Sequence, residues 1–340
     1  MNALELDTPA LYVDLDALDR NLISMQARCR EWGVALRPHA KTHKIPEIAQ
    51  MQLDAGAVGL TYAKLGELEV MPGDDLLLAY PLMPEKLPRL QAQLSRGRRI
   101  TAVVDGVEGA RLLGEVDALV EVDVGIGRCG VRTPEQVVEV ARTCARFRGL
   151  FYWPNWLDDA GFRHAEALIA TSIRALGSAG LPPEVISGGS TPGASKTPLI
   201  PQTTEIRPGT YVFNDANCLN GGFARLEDCA LKVLCTVVST AVPGQAILDG
   251  GSKTFSSDAT VGVGTFGHFG TRPWTMRKMN EEHGYAEMGE GSVGRARVGE
   301  KVWVIPSHAC ATVNLHDEVH FGRGGRVDGS WRVAARGKVR

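Results

Sequence analysis

The chain has 340 residues, of which 44% are hydrophobic and 22% charged, and its formal net charge at pH 7 is -2. This composition is that of an ordinary globular protein, and the charge balance argues against nucleic acid or an acidic membrane surface as a partner. The length predicts two domains.

The amino-terminal residues and the cysteines indicate the compartment. Residues 1–7 lack an apolar core segment, and no apolar run approaches the length needed to span a membrane. Seven cysteines, scattered without a framework spacing, predict reduced thiols rather than a disulfide scaffold. We therefore expect a cytoplasmic protein.

Residues 10 to about 215 alternate short apolar strands with helical segments. The predicted strands are 34–39, 58–62, 76–80, 101–104, 119–123, 149–152, 184–187 and 204–206, and the predicted helices include 46–55, 84–94, 134–147 and 164–179. This alternation predicts a closed (β/α)8 TIM-type barrel, whose active site lies at the C-terminal ends of the strands. An open doubly wound sheet is the alternative, but no G-x-G-x-x-G fingerprint follows the first strand.

The pattern changes after residue 225. Glycine and proline become frequent, and strands are predicted at 230–238, 246–248, 302–305 and 318–321, without a long amphipathic helix. The sequence therefore predicts a barrel domain over residues 1–225 and a second, β-rich domain over residues 226–340.

The first candidate for chemistry is Lys41, in the stretch 37–44 that follows the first predicted barrel strand. Two histidines and two further cations flank this lysine. Crowding by positive charge and partial shielding from water both lower the pKa of an amine, and so favour its nucleophilic form. A Schiff-base lysine needs this property, although the same residues taken alone also fit a solvated basic loop.

Three further loops follow predicted strands. They contain Arg128 after strand five, residues 187–191 after strand seven and residues 207–210 after strand eight. Barrels often bind phosphate at the loops after strands seven and eight, where backbone N–H groups and small hydroxyl residues let an anion come close. Together with Lys41, these loops predict a site for a phosphorylated aldehyde, with pyridoxal 5'-phosphate (PLP) as the candidate.

These motifs resemble the fold-type III PLP enzymes, in particular the family that holds D-serine dehydratases, D-threonine aldolases and D-3-hydroxyaspartate dehydratases and aldolases, with a more distant likeness to alanine racemase. The resemblance is carried by residues 7–11, 37–44, 122–130, 207–213, 281–284, 306–310 and 333–337. It implies a PLP-binding barrel followed by a β domain, and a homodimer.

The resemblance also implies roles for single residues. Lys41 would form the Schiff base with PLP, and Arg128 would approach the phenolic oxygen of the cofactor. Arg207 would face the pyridine nitrogen, where a permanent cation keeps that nitrogen unprotonated and weakens the ring as an electron sink. The remaining predicted cofactor-binding residues are His39 and Tyr152, with Ser190, Thr191, Gly209 and Thr210 for the phosphate. Tyr152, Trp153 and Trp156 depart from the pattern expected after strand six, and packing under the barrel rim is an equal alternative for them.

A second motif, His308-Ala309-Cys310, predicts a metal site. In a strand, residues two apart project from the same face, so that an imidazole and a thiolate can bind one ion. The residues alone also fit a core histidine beside a small buried cysteine. The dehydratases of the resembled family use a His-x-Cys pair for zinc, whereas the aldolases show His-x-Asp for manganese or magnesium, in line with the preference of thiolate for softer ions.

The leading functional hypothesis is a PLP- and zinc-dependent lyase that dehydrates a D-β-hydroxy-α-amino acid, such as D-serine or D-3-hydroxyaspartate, to a 2-oxo acid and ammonia. Lys41 and His283 are its predicted catalytic residues. The first alternative is a metal-dependent D-threonine-type aldolase that releases glycine and an aldehyde. The second is a PLP-binding protein without turnover.

Overall fold

The computed structural model describes residues 1–154, 159–289 and 296–340. Trp156, one of the aromatic residues singled out above, lies outside the described residues. The strands of the described residues are β1 Ala10–Asp14, β2 Ala35–Leu36, β3 Leu60–Tyr62, β4 Asp75–Leu78, β5 Arg99–Val104, β6 Asp117–Val122, β7 Arg146–Tyr152, β8 Val185–Gly188, β9 Glu205–Ile206, β10 Leu231–Ser239, β11 Gln245–Leu248, β12 Gly267–His268, β13 Trp274–Met279, β14 Gly284–Met288, β15 Lys301–Pro306, β16 Glu318–Gly322 and β17 Gly329–Arg332.

Most α-helices of the described residues connect strands in the first part of the chain, and the last three lie after residue 215. They are α1 Leu15–Glu31, α2 Pro46–Asp54, α3 Leu65–Val70, α4 Leu87–Leu94, α5 Val107–Leu113, α6 Pro134–Thr143, α7 Asp159–Ser178, α8 Ala216–Asn220, α9 Ser252–Phe255 and α10 Ala309–Val313. Among the described residues, no helix is both long and apolar enough to cross a membrane.

The barrel unit comprises residues 25–41, 48–209 and 338–340. Its eight parallel strands follow the order β2-β9-β8-β7-β6-β5-β4-β3. A parallel bridge between His39 and Thr61 joins the two ends of this sheet, and the Thr61 N–H donates to the Pro38 carbonyl at 2.8 Å. The predicted (β/α)8 barrel is therefore confirmed, and all eight predicted strands are present with bounds shifted by a few residues.

Local sequence explains the elements of this unit. All six residues of β6 are buried, as expected for a parallel strand that is covered on both faces. Thr133 caps α6, because its side chain accepts the Gln136 N–H, and Pro134 occupies the first helical position. Side chains from β4 to β7, among them Leu77 and Phe151, form one hydrophobic cluster.

The β-sheet unit comprises residues 1–24, 42–47 and 210–337. Its main sheet follows the order β13-β14-β11-β10-β1-β16-β17, and β15 pairs with β10 and β12. The central strand β1 is antiparallel to β10 and parallel to β16. The predicted β-rich region is confirmed. The sequence pattern did not single out the strands β1, β12, β13, β14 and β17.

The compact units group the residues differently from the predicted boundary at residue 225. Residues 1–24 and 210–225 belong to the β-sheet unit, although they were expected in the barrel domain. The physical reason is the pairing of β1, in which Ala10 lies opposite Leu234 and Tyr12 opposite His320. Pairing over such sequence separations leaves no trace in the local pattern.

Candidate active site

Barrel strand β2 ends at Leu36, and Lys41 follows it in a short 3-10 turn that spans Ala40–Thr42. Its side chain is exposed. The backbone N–H of Lys41 donates to Nδ1 of His39 at 3.4 Å, and the N–H of His39 donates to the Pro208 carbonyl at 3.0 Å. The barrel unit thus places the lysine and His39 beside the loop that follows β9, at the carboxyl ends of the strands.

The two cations that flank Lys41 in sequence have partners of their own. In the barrel unit, Arg37 pairs with Glu205 at 2.6 Å and with Asp75 at 2.7 Å. In the β-sheet unit, the Lys44 ammonium donates to Asn314 Oδ1 at 2.7 Å. Arg37 and Lys44 therefore each have an ion-pair or hydrogen-bond partner. The predicted effect of their charge on the Lys41 amine stays a prediction.

The loops after β8 and β9 adjoin each other in the barrel unit. The Arg207 N–H donates to the Gly188 carbonyl at 3.1 Å, which ties the two loops together. Ser190 Oγ accepts the Gly193 N–H at 3.3 Å, and Thr191 and Gly209 are only partly buried. Small, partly buried residues thus occupy these loops, a composition that suits phosphate binding. Their role, and that of Thr210 as the next residue in the chain, stays a prediction.

Arg207 is a buried cation of the barrel unit. Its Nη1 donates to Ser187 Oγ at 2.7 Å and its Nη2 to the Tyr152 carbonyl at 2.8 Å, and the guanidinium stacks 3.7 Å from the Phe151 ring centre. Burial lowers the pKa of this guanidinium to about 10, while Glu205 counteracts that effect. A guanidinium held in this way keeps one orientation, which a role beside a cofactor ring would need.

The Tyr152 side chain is buried, and its hydroxyl shares a 2.6 Å hydrogen bond with Thr203 Oγ1. Burial raises the pKa of its phenol to about 12, against the opposing effect of that hydrogen bond. A Cβ on Gly188 would come within 2.1 Å of the Tyr152 ring, so the ring packs closely on β8. These contacts are those of a packing residue, and its predicted cofactor contact stays a prediction.

Arg128 lies in the loop after β6, with its side chain 59% exposed and Nη2 at 3.6 Å from Glu121 Oε1. Burial raises the pKa of the Glu121 carboxyl, although Arg128 and then Arg207 counteract it. Asp123 Oδ1 accepts three backbone N–H groups of the loop, at 2.9 to 3.1 Å. Burial alone would raise the Asp123 pKa, but these hydrogen bonds, led by that of Gly127, lower it. The loop that presents Arg128 is therefore held in a defined conformation.

His308 and Cys310 both lie at the start of α10 in the β-sheet unit. The expectation that they lie in one strand is wrong, because β15 ends at Pro306, His308 is the extended N-cap residue of α10 and Cys310 lies in its first turn. The Cys310 side chain is the largest influence that raises the pKa of His308 to about 9, with burial opposing it and Asp258 adding to it.

Other residues of the β-sheet unit surround this pair. Cys310 Sγ donates to Thr42 Oγ1 at 3.3 Å and lies 3.8 Å from Thr210 Oγ1. Nδ1 of His308 lies 2.6 Å from Asp258 Oδ2, and the buried Asp215 accepts the Ala309 N–H at 3.0 Å. Sequence reasoning missed these two carboxylates, because they precede the motif by 50 and 94 residues and carry no recognisable spacing.

His283 lies in the turn between β13 and β14, where its side chain is exposed. Its backbone carbonyl accepts the Asn280 N–H at 2.9 Å. This position belongs to the same unit as the His308 and Cys310 pair, and the predicted catalytic role of His283 stays a prediction.

The residues present fit both groups that the sequence predicts. An amine at the end of a barrel strand, two small-residue loops and a fixed buried guanidinium are the kinds of group that hold PLP. An imidazole and a thiol two residues apart at the start of α10 are a donor pair suited to zinc. Among the described residues, no set of three His, Cys, Asp or Glu side chains lies close enough to hold a metal. His308 and Cys310 are the two ligands that the sequence predicts, and the metal site stays a prediction.

This combination of a barrel with an end-of-strand lysine and a separate β-sheet unit defines an alanine racemase-like protein. The family model for the alanine racemase N-terminal domain matches residues 13–217, and the model for the putative serine dehydratase domain matches residues 230–321. The chain belongs to this family, which confirms the resemblance predicted from its motifs.

Characterised relatives cover nearly the whole chain. A D-threonine aldolase of Arthrobacter sp. is 33% identical over 98% of this chain and 93% of its own length. A D-threo-3-hydroxyaspartate dehydratase of Delftia sp. (strain HT23) is 33% identical over 91% of this chain and 92% of its own. These relatives are lyases, which confirms the predicted class of enzyme at the level of the family.

Solved structures are similarly close. The crystal structure of D-threonine aldolase from Filomicrobium marinum has a TM-score of 0.91 and 32% identity, and the match covers 99% of this chain and 98% of that one. A cysteine-to-alanine variant of D-threo-3-hydroxyaspartate dehydratase, solved in the metal-free form, has a TM-score of 0.90 and 30% identity, with 98% of each chain covered.

Proposed function

We propose that this protein is a PLP- and zinc-dependent lyase that dehydrates a D-β-hydroxy-α-amino acid to a 2-oxo acid and ammonia. The observation that carries the proposal is the placement of His308 and Cys310 two residues apart at the start of α10, with His308 Nδ1 at 2.6 Å from Asp258 and Cys310 Sγ at 3.3 Å from Thr42. A dehydratase among the relatives supports it, as does the metal-free form of a cysteine variant of such an enzyme.

The barrel unit supplies the residues for the cofactor. PLP, when bound, supplies an electron sink for the negative charge that develops at the substrate Cα. The Lys41 amine takes the proton from that carbon, since a primary amine at this position can serve as a general base. Ser190, Thr191 and Gly209 bind the phosphate, and Arg207 holds its fixed orientation through Ser187.

The β-sheet unit supplies the residues for the metal. His308 and Cys310 would hold zinc, which would act as a Lewis acid on the β-hydroxyl and make it a better leaving group. Cys310 binds as the thiolate, and its hydrogen bond to Thr42 must therefore be given up or reversed on metal binding. The proposed reaction needs the cofactor and the metal to act on one substrate molecule.

A D-threonine-type aldolase is the second candidate. The relative that covers 98% of this chain at 33% identity and a solved structure with a TM-score of 0.91 are both D-threonine aldolases. Such an enzyme removes the proton of the β-hydroxyl and breaks the Cα–Cβ bond, so that glycine and an aldehyde are released. The thiol of Cys310 favours zinc over manganese or magnesium, and for that reason we place the dehydratase first.

Product analysis separates the two reactions. The purified protein, loaded with PLP and zinc, is incubated with D-serine, D-threonine and D-threo-3-hydroxyaspartate, and 2-oxo acid, ammonia and glycine are measured in the same samples. Oxo acid and ammonia in equal amounts support the dehydratase, and glycine with an aldehyde supports the aldolase. Cofactor binding without any product would mean that the protein is a PLP carrier.

The assignment of Lys41 has its own test. Borohydride reduction of the PLP-loaded protein, followed by peptide mass spectrometry, is expected to find the reduced cofactor on Lys41. A Lys41→Ala variant should lose this adduct, whereas Lys86→Ala, a lysine of the turn before α4, should retain it. An adduct that persists in Lys41→Ala would contradict the assignment. The predicted homodimer is checked by sedimentation of the same preparations.

A further inference from the structure

A carboxylate lies beside Nδ1 of His308, the ring nitrogen that would not bind the metal. Nδ1 lies 2.6 Å from Asp258 Oδ2, which leaves Nε2 as the nitrogen that can bind a metal. Because the lone pairs of the two ring nitrogens diverge, a carboxylate on Nδ1 cannot share a metal that is bound at Nε2. Asp258 is therefore placed behind the imidazole and not in the metal's own shell.

Hydrogen bonds join the segment that contains Asp258 to the segment that contains His308. Thr260, two residues after Asp258, forms a 2.9 Å hydrogen bond through its hydroxyl with that of Ser307, the residue before His308. Ser307 Oγ also donates to the Thr265 carbonyl at 2.9 Å. Thr260 and Ser307 are both buried. The His308 and Asp258 side chains are 40% and 51% exposed, but the backbone segments that carry them are held in place by these buried hydrogen bonds.

Further bonds hold the segments from their other sides. The Asp258 N–H donates to Ser256 Oγ at 3.2 Å. On the histidine side, the N–H of Ala309 donates to Asp215 Oδ2 at 3.0 Å, and Asn217 Nδ2 donates to the Ser307 carbonyl at 2.7 Å. The segment of Asp258 and the segment of His308 are therefore each held by their own hydrogen bonds. Their contact does not require a long, flexible side chain to become ordered.

We propose that Asp258 is the positioning residue of the metal site, which holds the His308 ring in one orientation and one tautomer so that Nε2 meets the ion beside Cys310. A carboxylate on the far nitrogen of a metal-binding histidine also raises the basicity of the ligand, and loss of such a partner typically weakens metal binding 10- to 100-fold. This inference rests on the proposed function, because it requires the metal. Without a bound metal, an exposed Asp–His pair would contribute little to the free energy of unfolding.

The experiment uses the full-length, PLP-loaded protein, freed of metal by a chelator and titrated with Zn²⁺ and Co²⁺. Zinc affinity is measured by competition with a chromophoric chelator, and the thiolate-to-cobalt absorption band reports coordination by Cys310. The variants are Asp258→Asn, Asp258→Glu and, as a matched control, Asp317→Asn, an 86% exposed aspartate of the same unit. The thermal midpoint of each metal-free protein shows whether folding is retained.

We expect Asp258→Asn to bind zinc about 10-fold more weakly or worse, with an unchanged midpoint. Asp258→Glu, which retains the carboxylate, should recover part of the loss, and Asp317→Asn should bind like the wild type. Wild-type affinity in Asp258→Asn would overturn the positioning role and leave the proposed metal site intact. Absence of zinc binding and of the cobalt–thiolate band in the wild type would overturn both.

Discussion

The ion pair between Arg37 and Glu205 inside the barrel unit makes a quantitative prediction. Glu205 is buried, accepts Arg37 Nε at 2.6 Å through one oxygen and accepts Ser187 Oγ at 2.6 Å through the other. Ser187 in turn accepts Arg207 Nη1 at 2.7 Å. Glu205 therefore neutralises Arg37 directly and supports the orientation of Arg207 through one hydroxyl.

Replacing Glu205 with alanine should cost the barrel unit about 3 kcal/mol in free energy of unfolding. Removal of one partner from a buried ion pair costs about 3–5 kcal/mol, because the other charge is left without compensation. The lower end applies here, since Arg37 retains Asp75 at 2.7 Å. Burial alone would lower the Arg37 pKa, but Glu205, followed by Asp75, raises it, so the two carboxylates together favour the charged form of Arg37.

The assay is thermal and urea unfolding of the metal-free protein without cofactor, followed by circular dichroism. At about 2–4 °C per kcal/mol, the midpoint of the barrel transition should fall by roughly 6–12 °C. Glu205→Gln should lose less, because its amide can still accept a hydrogen bond. Glu184→Ala is the matched control: its carboxylate is 62% exposed, lies 2.8 Å from Arg148 and should contribute less than about 1 kcal/mol. Equal losses in Glu205→Ala and Glu184→Ala would refute the reasoning.

Two further predictions concern the backbone and the pH dependence of stability. Gly149→Ala should unfold the barrel unit or destabilise it strongly, because Gly149 has φ +153° and a Cβ would come within 1.8 Å of the Val185 carbonyl oxygen. Gly177→Ala, at an open site in α7, should instead raise the free energy of unfolding by up to about 1 kcal/mol. Thermal unfolding measures both effects. Burial lowers the pKa of the His316 ring, although a hydrogen bond to the Thr254 carbonyl opposes this effect. The unfolded chain therefore binds more protons than the folded one, and stability falls as the pH drops below about 6.5. Urea unfolding at a series of pH values should show this loss reduced in His316→Gln, and an unchanged pH profile would contradict it.

Much of the barrel was predictable from the sequence because its signals are local. Eight short apolar strands alternate with helical segments, and in β6, a strand buried on both faces, four of the six residues are apolar. The position of Lys41 after β2 and of Arg207 after β9 follows from this alternation, since parallel strands bring their carboxyl ends to one edge. The pair of His308 and Cys310 was also evident, because two residues apart is a local relation.

Other features depended on contacts between distant parts of the chain. The sequence by itself determined which residue types were available: an amine at a strand end, small-residue loops and an imidazole next to a thiol. Only the tertiary structure decided that β1 joins the β-sheet unit, that His308 occupies the N-cap position of a helix and does not lie in a strand, and that Asp258 lies behind its ring. The physical reason is that strand pairing and side-chain hydrogen bonds are short-range in space, whereas their partners are separated by 50 residues or more in the chain.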